Sequence, residues 1–230
     1  MTGEPAQLVL DLAHRAALGL EDFLVSSSNA AAVALVDRWP DWPHWAAVVA
    51  GPEASGKSHL GQVWRLKSGA GVVSAPNLSE AEIAHLEQAR ALLVEDLDQG
   101  IGDERALFHL LNMAREHQLT ILLTTRRAPG ELDIALPDLR SRLRATPLTT
   151  IDIPDEALLK SVLVKLFADR QLAVEPHIVG YLALHMDRSM RAANAIVAAA
   201  DRLALARQRR VTRGIAAEAL AACAANDEKS

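Results

Sequence analysis

Short apolar runs and longer helical repeats alternate along the first two-thirds of the chain. Trp45-Ala46-Ala47-Val48-Val49-Ala50, Ala91-Leu92-Leu93-Val94 and Thr120-Ile121-Leu122-Leu123-Thr124-Thr125-Arg126 read as buried strands, Gly71-Val72-Val73-Ser74 as a short strand, and Leu148-Thr149-Thr150-Ile151 as a last one. Between them fall segments of helical character. Ala30–Arg38 follows Ser28 or Asn29 as a cap, and residues 80–88 follow Asn77 or Ser79. Leu107, Leu110, Leu111 and Ala114 recur at helical spacing, which predicts an amphipathic helix over 104–117. From Pro154 the period changes for good. Leu158, Leu159, Val162, Leu163, Leu166 and Phe167 mark one helix, and Pro176 opens a second. Ser189 or Asp187 can cap a third and Thr212 a fourth. The pattern therefore predicts an α/β region with a five-stranded parallel sheet between helices, followed by a small all-helical domain. The expected boundaries are a tail over 1–14, the α/β domain over 15–153, the helical domain over 154–225 and a frayed end over 226–230.

Three stretches do not fit simple element patterns. Gln7-Leu8-Val9-Leu10-Asp11-Leu12 alternates, and reads either as an edge strand or as a linear motif whose Leu8, Leu10 and Leu12 fill pockets on a partner. Trp39, Trp42 and Trp45 lie in a proline-broken loop and are expected to cover a sheet edge rather than cage a ligand. Leu139-Arg140-Ser141-Arg142-Leu143-Arg144 reads as a solvated basic face.

Composition narrows the setting. Half of the 230 residues are hydrophobic but only 3% are aromatic, so packing rests on Ala and Leu. A net charge of −5 argues against broad electrostatic binding to nucleic acid. A single cysteine, Cys223, permits no disulfide within the chain. The start lacks the basic and apolar regions of a signal peptide, and no run approaches a membrane span, so a cytoplasmic protein is expected.

The chemistry is concentrated in Gly51-Pro52-Glu53-Ala54-Ser55-Gly56-Lys57-Ser58, which fits the P-loop pattern G-x-x-x-x-G-K-S/T between a strand and a helix. The glycines turn the loop and aim N–H groups inward, and the helix N-terminus adds positive potential. Lys57 is placed for the β- and γ-phosphates and Ser58 for Mg2+. Glu95 and Asp96 end a buried strand about one αβ unit later, where carboxylates hold Mg2+ and orient water. ATP or ADP with Mg2+ is the expected ligand.

A P-loop α/β module followed by a helical bundle is an AAA+ arrangement, and the sequence resembles the DnaA-type replication initiators, within them the Hda-like regulators. The resemblance rests on Glu21–Val25 with Asn29, Gly56–Leu60, Leu92–Asp96, Leu123–Pro129, Leu136–Leu143 and His185–Arg191. It implies that Gly51 through His59 and Thr125 bind nucleotide, that Glu95 and Asp96 are the acidic pair, and that Ser58 and Glu95 hold the metal. It implies that Arg188 reaches nucleotide from the helical domain and that Arg142 is an arginine finger acting on a neighbouring subunit. It also turns Gln7, Leu8, Leu10 and Leu12 into a motif for the DNA polymerase III sliding clamp, with Asp11 where proline is usual. Glu95 stands where Asp is more usual, and Arg126 where Asp is frequent, so the polar sensor falls to Thr124 or Thr125. The implied partners are DnaA and the clamp, with a possible homo-oligomer and no sequence-specific DNA binding. The implied function is promotion of DnaA-bound ATP hydrolysis, which negatively regulates initiation, with a feeble ATPase of its own. The alternative is an AAA+ ATPase that loads or remodels another replication protein, as helicase loaders do.

Overall fold

The computed structural model describes residues 24–86 and 89–227. Gln7, Leu8, Leu10 and Leu12 lie outside the described residues. The described chain falls into two compact units, Ser27–Ile153 and Pro154 onward, the latter with Leu24–Ser26.

The first unit is built on five parallel strands, β1 (Ala46–Ala50), β2 (Gly71–Ser74), β3 (Ala91–Glu95), β4 (Thr120–Thr125) and β5 (Leu148–Thr150), in the order β2-β3-β4-β1-β5. The continuous apolar runs are explained by burial. Val48, Val94, Ile121, Leu122 and Leu123 have no solvent exposure, as expected for a sheet covered by helices on both faces. The covering helices are α1 (Ala30–Arg38), α2 (Lys57–Ser68), α3 (Glu80–Leu86), α4 (Glu104–Glu116) and α5 (Pro137–Ala145). The amphipathic prediction holds for α4, which buries Leu107, Leu110, Leu111 and Ala114. Asp103 caps it by accepting from the N–H groups of Arg105 and Ala106 at 2.9 and 3.0 Å.

Several local expectations are corrected. Asn29 occupies the cap position of α1, but its side chain makes no cap bond there. Ser79, rather than Asn77, caps α3 through the N–H of Glu82. The basic stretch 139–144 is the solvated face expected of it, carried on a helix. Pro137 opens it, and Leu139 and Leu143, four apart, are fully buried while the arginines face out. Of the loop tryptophans, Trp39 and Trp42 pack on Trp64 of α2, edge-on at 6.3 Å and stacked at 5.5 Å. Trp39 Nε1 also donates to Thr120 Oγ1, at the start of β4, so the cluster seals the N-terminal edge of the sheet.

The second unit holds α6 (Glu156–Asp169), α7 (Pro176–His185), α8 (Met190–Arg207) and α9 (Arg213–Asp227). Leu159, Leu163, Leu182, Ala193, Val197, Ala200, Ala216 and Ala219 form its interior. The prevalence of Ala lets these helices approach closely around the buried ring of Phe167. Asp155, Ser189 and Thr212 cap α6, α8 and α9. Among the described residues no helix is long and apolar enough to cross a membrane.

Candidate functional site

Parallel strands all point the same way, so their C-terminal ends share one edge of the sheet. The loop between β1 and α2 lies there, beside the end of β4: the N–H of Gly51 donates to the carbonyl of Thr125 at 3.2 Å. The two loop glycines are required for different reasons. A Cβ on Gly51 would sit 2.4 Å from the carbonyl oxygen of Ile151, so this position is fixed by close approach. Gly56 has φ of 107°, which side chains avoid, and it hands the chain directly to α2.

The loop is shaped for an anion. Lys57 is buried, and its Nζ donates to the carbonyls of Gly51 and Pro52, both at 2.7 Å. Burial lowers its pKa, while Asp98, Asp96 and Glu53 pull the other way and Arg126 adds to the lowering. The first turn of α2 has no side-chain cap, so its dipole end faces the loop. Ser55 Oγ is buried in the loop without a hydrogen-bond partner. A polyphosphate fits this donor set: an ammonium, a helix N-terminus and an orphan hydroxyl in one loop. Ser58 and His59 are exposed in that first turn.

The acidic pair ends β3. Its register with β4 matches Val94 to Leu123, so Glu95 and Asp96 lie beside Thr124. Burial raises the pKa of Glu95, the charge of Asp96 raises it further, and Arg65 opposes both. Asp96 is held in the left-handed region, φ 62° and ψ 47°, and its N–H donates to Thr124 Oγ1 at 3.2 Å. Thr124 is therefore the hydroxyl that meets the acidic pair. The Thr125 hydroxyl instead donates to the carbonyl of Arg127, within its own turn. Gly61 of α2 packs under this strand, where an added Cβ would lie 3.1 Å from Leu93 Cδ2 and 3.8 Å from Glu95 Oε1.

Arg126 and Asp98 form a feature that sequence reasoning missed. Asp98 Oδ1 accepts from the N–H of Arg126 at 2.6 Å, and Asp98 Oδ2 lies 3.4 Å from Arg126 Nε. The same guanidinium reaches Glu53 of the loop at 2.9 Å. The partners are distant in sequence, and the adjacency of β4 to β3 on one side and to β1 on the other joins them.

Arg142 sits elsewhere. Its guanidinium donates to Asn112 Oδ1 of α4 at 2.7 Å. It lines a cavity of 340 Å3 with Trp45, Arg115, Ala145, Thr146 and Pro147. Trp45 and Pro147 precede β1 and β5, so this cavity is at the N-terminal edge of the sheet. The five residues of β1 separate it from Gly51, a span of about 16 Å. Helix α5 is positioned by Glu104, whose carboxylate accepts from the N–H groups of Ala135 and Leu136 at 2.9 and 2.6 Å. Arg188 is exposed in the turn between α7 and α8, near enough to Glu156 for its charge to be felt there. Thus Gly51–His59, Glu95, Asp96 and Thr125 gather at one edge, Arg142 lies at the other, and Arg188 belongs to the second unit.

No family model matches the chain. Over 103 residues it is 31% identical to the chromosomal replication initiator protein DnaA of Cutibacterium acnes, a match covering 44% of this chain and 21% of that protein. The chain thus spans about a fifth of the initiator's length in that match. Domain III of the replication initiation protein DnaA of Thermotoga maritima superposes with a TM-score of 0.75 at 19% identity, covering 87% of this chain and 94% of that one. AMPPCP-bound DnaA from Aquifex aeolicus gives a TM-score of 0.64 at 22% identity, over 81% of this chain and 64% of that one. The P-loop sheet and the helices around it therefore have the AAA+ fold of DnaA domain III, and part of the sequence is similar to DnaA.

Proposed function

We propose that this chain is a DnaA-related, Hda-like regulator that binds an adenine nucleotide and promotes hydrolysis of ATP held by DnaA, restraining replication initiation. The observation that carries the reading is the position of Arg142. It is on an exposed face at the sheet edge opposite the chain's own phosphate loop, about 16 Å away along β1. A guanidinium there has no access to the chain's own nucleotide and is presented outward to another subunit. A fixed arginine supplied in trans stabilises charge on a transferring phosphoryl group. Asn112 Oδ1 and the buried Leu139 and Leu143 fix its direction.

The chain's own nucleotide, ATP or ADP, would be held by Gly51–His59, with Lys57 and the helix N-terminus on the phosphates, Thr125 beside them and Arg188 from the helical unit. AMPPCP, bound by the Aquifex aeolicus protein, belongs to that ligand class. Mg2+ would be held by Ser58 and Glu95 and would neutralise phosphate charge. Gln7, Leu8, Leu10 and Leu12 would dock on the polymerase III sliding clamp as an extended peptide.

The test is stimulation of ATP hydrolysis by purified DnaA, comparing wild type with Arg142→Ala. The variant is expected to bind nucleotide normally and to lose the stimulation. A clamp pull-down with Gln7→Ala/Leu8→Ala is expected to lose capture. The assembly of Lys57, Glu95, Asp96 and Thr124 at one edge favours a second reading, a self-sufficient ATPase that loads or remodels another replication protein. Multiple turnovers by the chain alone, without clamp capture by wild type, would select it.

A further inference from the structure

The geometry points to Arg126 as the counter-cation of the phosphate loop: it neutralises Glu53 and ties that side of the loop to the end of β4, so that a nucleoside polyphosphate can enter. The inference rests on the nucleotide-binding reading above and assigns a positioning residue within it.

The loop carries an acid at Glu53, an awkward charge where a polyphosphate must sit. Its Oε2 is 2.9 Å from Arg126 Nη1. Asp98 grips the same residue twice, through the backbone N–H at 2.6 Å and through Nε at 3.4 Å. The anchor is firm, because the Asp98 side chain is only 7% exposed, whereas Glu53 is 59% exposed and free to leave. Arg126 is thus fixed by a buried acid on one side and offers its remaining N–H groups to the loop on the other.

The cluster shares the field of the phosphate lysine. Burial lowers the pKa of Lys57, and Asp98, Arg126, Asp96 and Glu53 all bear on it. Remove Arg126, and Lys57 alone faces those three carboxylates. An incoming di- or triphosphate would meet two net negative charges among these groups instead of one. One unit charge about 7 Å away across partly wet protein changes affinity by about tenfold. The guanidinium acts through Glu53, so losing both charges together should cost little.

The test is a double-substitution cycle on Mg-ATP and Mg-ADP affinity, measured by titration calorimetry at low salt. Arg126→Gln is expected to weaken both ligands about tenfold. Glu53→Gln is expected to tighten them several-fold. The double variant should return near wild type. Rising salt should shrink each effect, since the Arg126–Glu53 pair is partly exposed. Glu53→Gln removes no buried contact, so it tests the idea even if Arg126→Gln folds poorly. Unchanged or weaker binding by Glu53→Gln overturns the proposal. So does a double variant that stays as weak as Arg126→Gln, which would make Arg126 a direct ligand instead. Absence of binding by wild type defeats the nucleotide reading itself and this proposal with it. Binding that is normal in wild type and lost in Lys57→Ala upholds that reading whatever the cycle shows.

Discussion

Replacing Thr124 by valine removes one hydrogen-bond acceptor and little else. Thr124 is 1% exposed, and valine keeps its branched shape. What is lost is the acceptor for the Asp96 N–H at 3.2 Å. That bond holds a residue in the left-handed region, φ 62°, which costs a non-glycine residue about 1 kcal/mol. A neutral bond of this kind contributes about 1 kcal/mol net, and an orphaned donor costs about 1–3 kcal/mol. Asp96 is only half-buried, so water relieves part of the loss, and the expected cost is about 1–2 kcal/mol. The chain's tryptophans, Trp39, Trp42, Trp45 and Trp64, all belong to the first unit. Their fluorescence in a urea titration therefore reports on that unit alone. With a slope of about 2 kcal/mol per molar, the midpoint should fall by about 0.5–1 M. Nucleotide affinity should change far less than hydrolysis, because the valine leaves the loop and Lys57 in place. A midpoint within about 0.2 M of wild type would refute the role given to Thr124.

Glu95→Gln should stabilise the nucleotide-free protein near neutral pH while weakening Mg-dependent turnover. Burial and Asp96 raise the Glu95 pKa above its ordinary 4.5, so the native state keeps a proton the unfolded state releases. Stability is thus lost as pH rises from the ordinary value through the raised one, and the advantage of glutamine should appear only above that window and vanish below it; melts across pH 4–8 check the sign. Gly51→Ala forces a Cβ to 2.4 Å from the Ile151 carbonyl and should cost about 2–3 kcal/mol, a fall in melting temperature of roughly 10 °C in a thermal scan, with nucleotide binding lost as well.

The parts legible in the sequence were those with local causes. Buried parallel strands must be apolar throughout, and β1, β3 and β4 were plain for that reason. The P-loop was legible because its spacing and its flanking elements are contiguous. Helix α5 was obscured because only Leu139 and Leu143 face inward against three arginines, and the signal lay in their four-residue spacing after Pro137. The link from Glu53 to Arg126 spans 73 positions and depends on β4 lying between β3 and β1. No local pattern encodes that order. The choice of Thr124 over Thr125 beside the acids follows from register, which a single strand does not reveal. Arg142 was selected by resemblance, and the structure places it at the far edge of the sheet.

That position is also what can be tested most directly. The measurement is the rate of ATP hydrolysis on DnaA with wild type and with Arg142→Ala, the nucleotide affinity of both chains being measured alongside. An arginine offered to the partner predicts normal binding by the variant and a fall in DnaA-ATP hydrolysis of 10^3-fold order toward the unstimulated rate. Full stimulation by Arg142→Ala would contradict it.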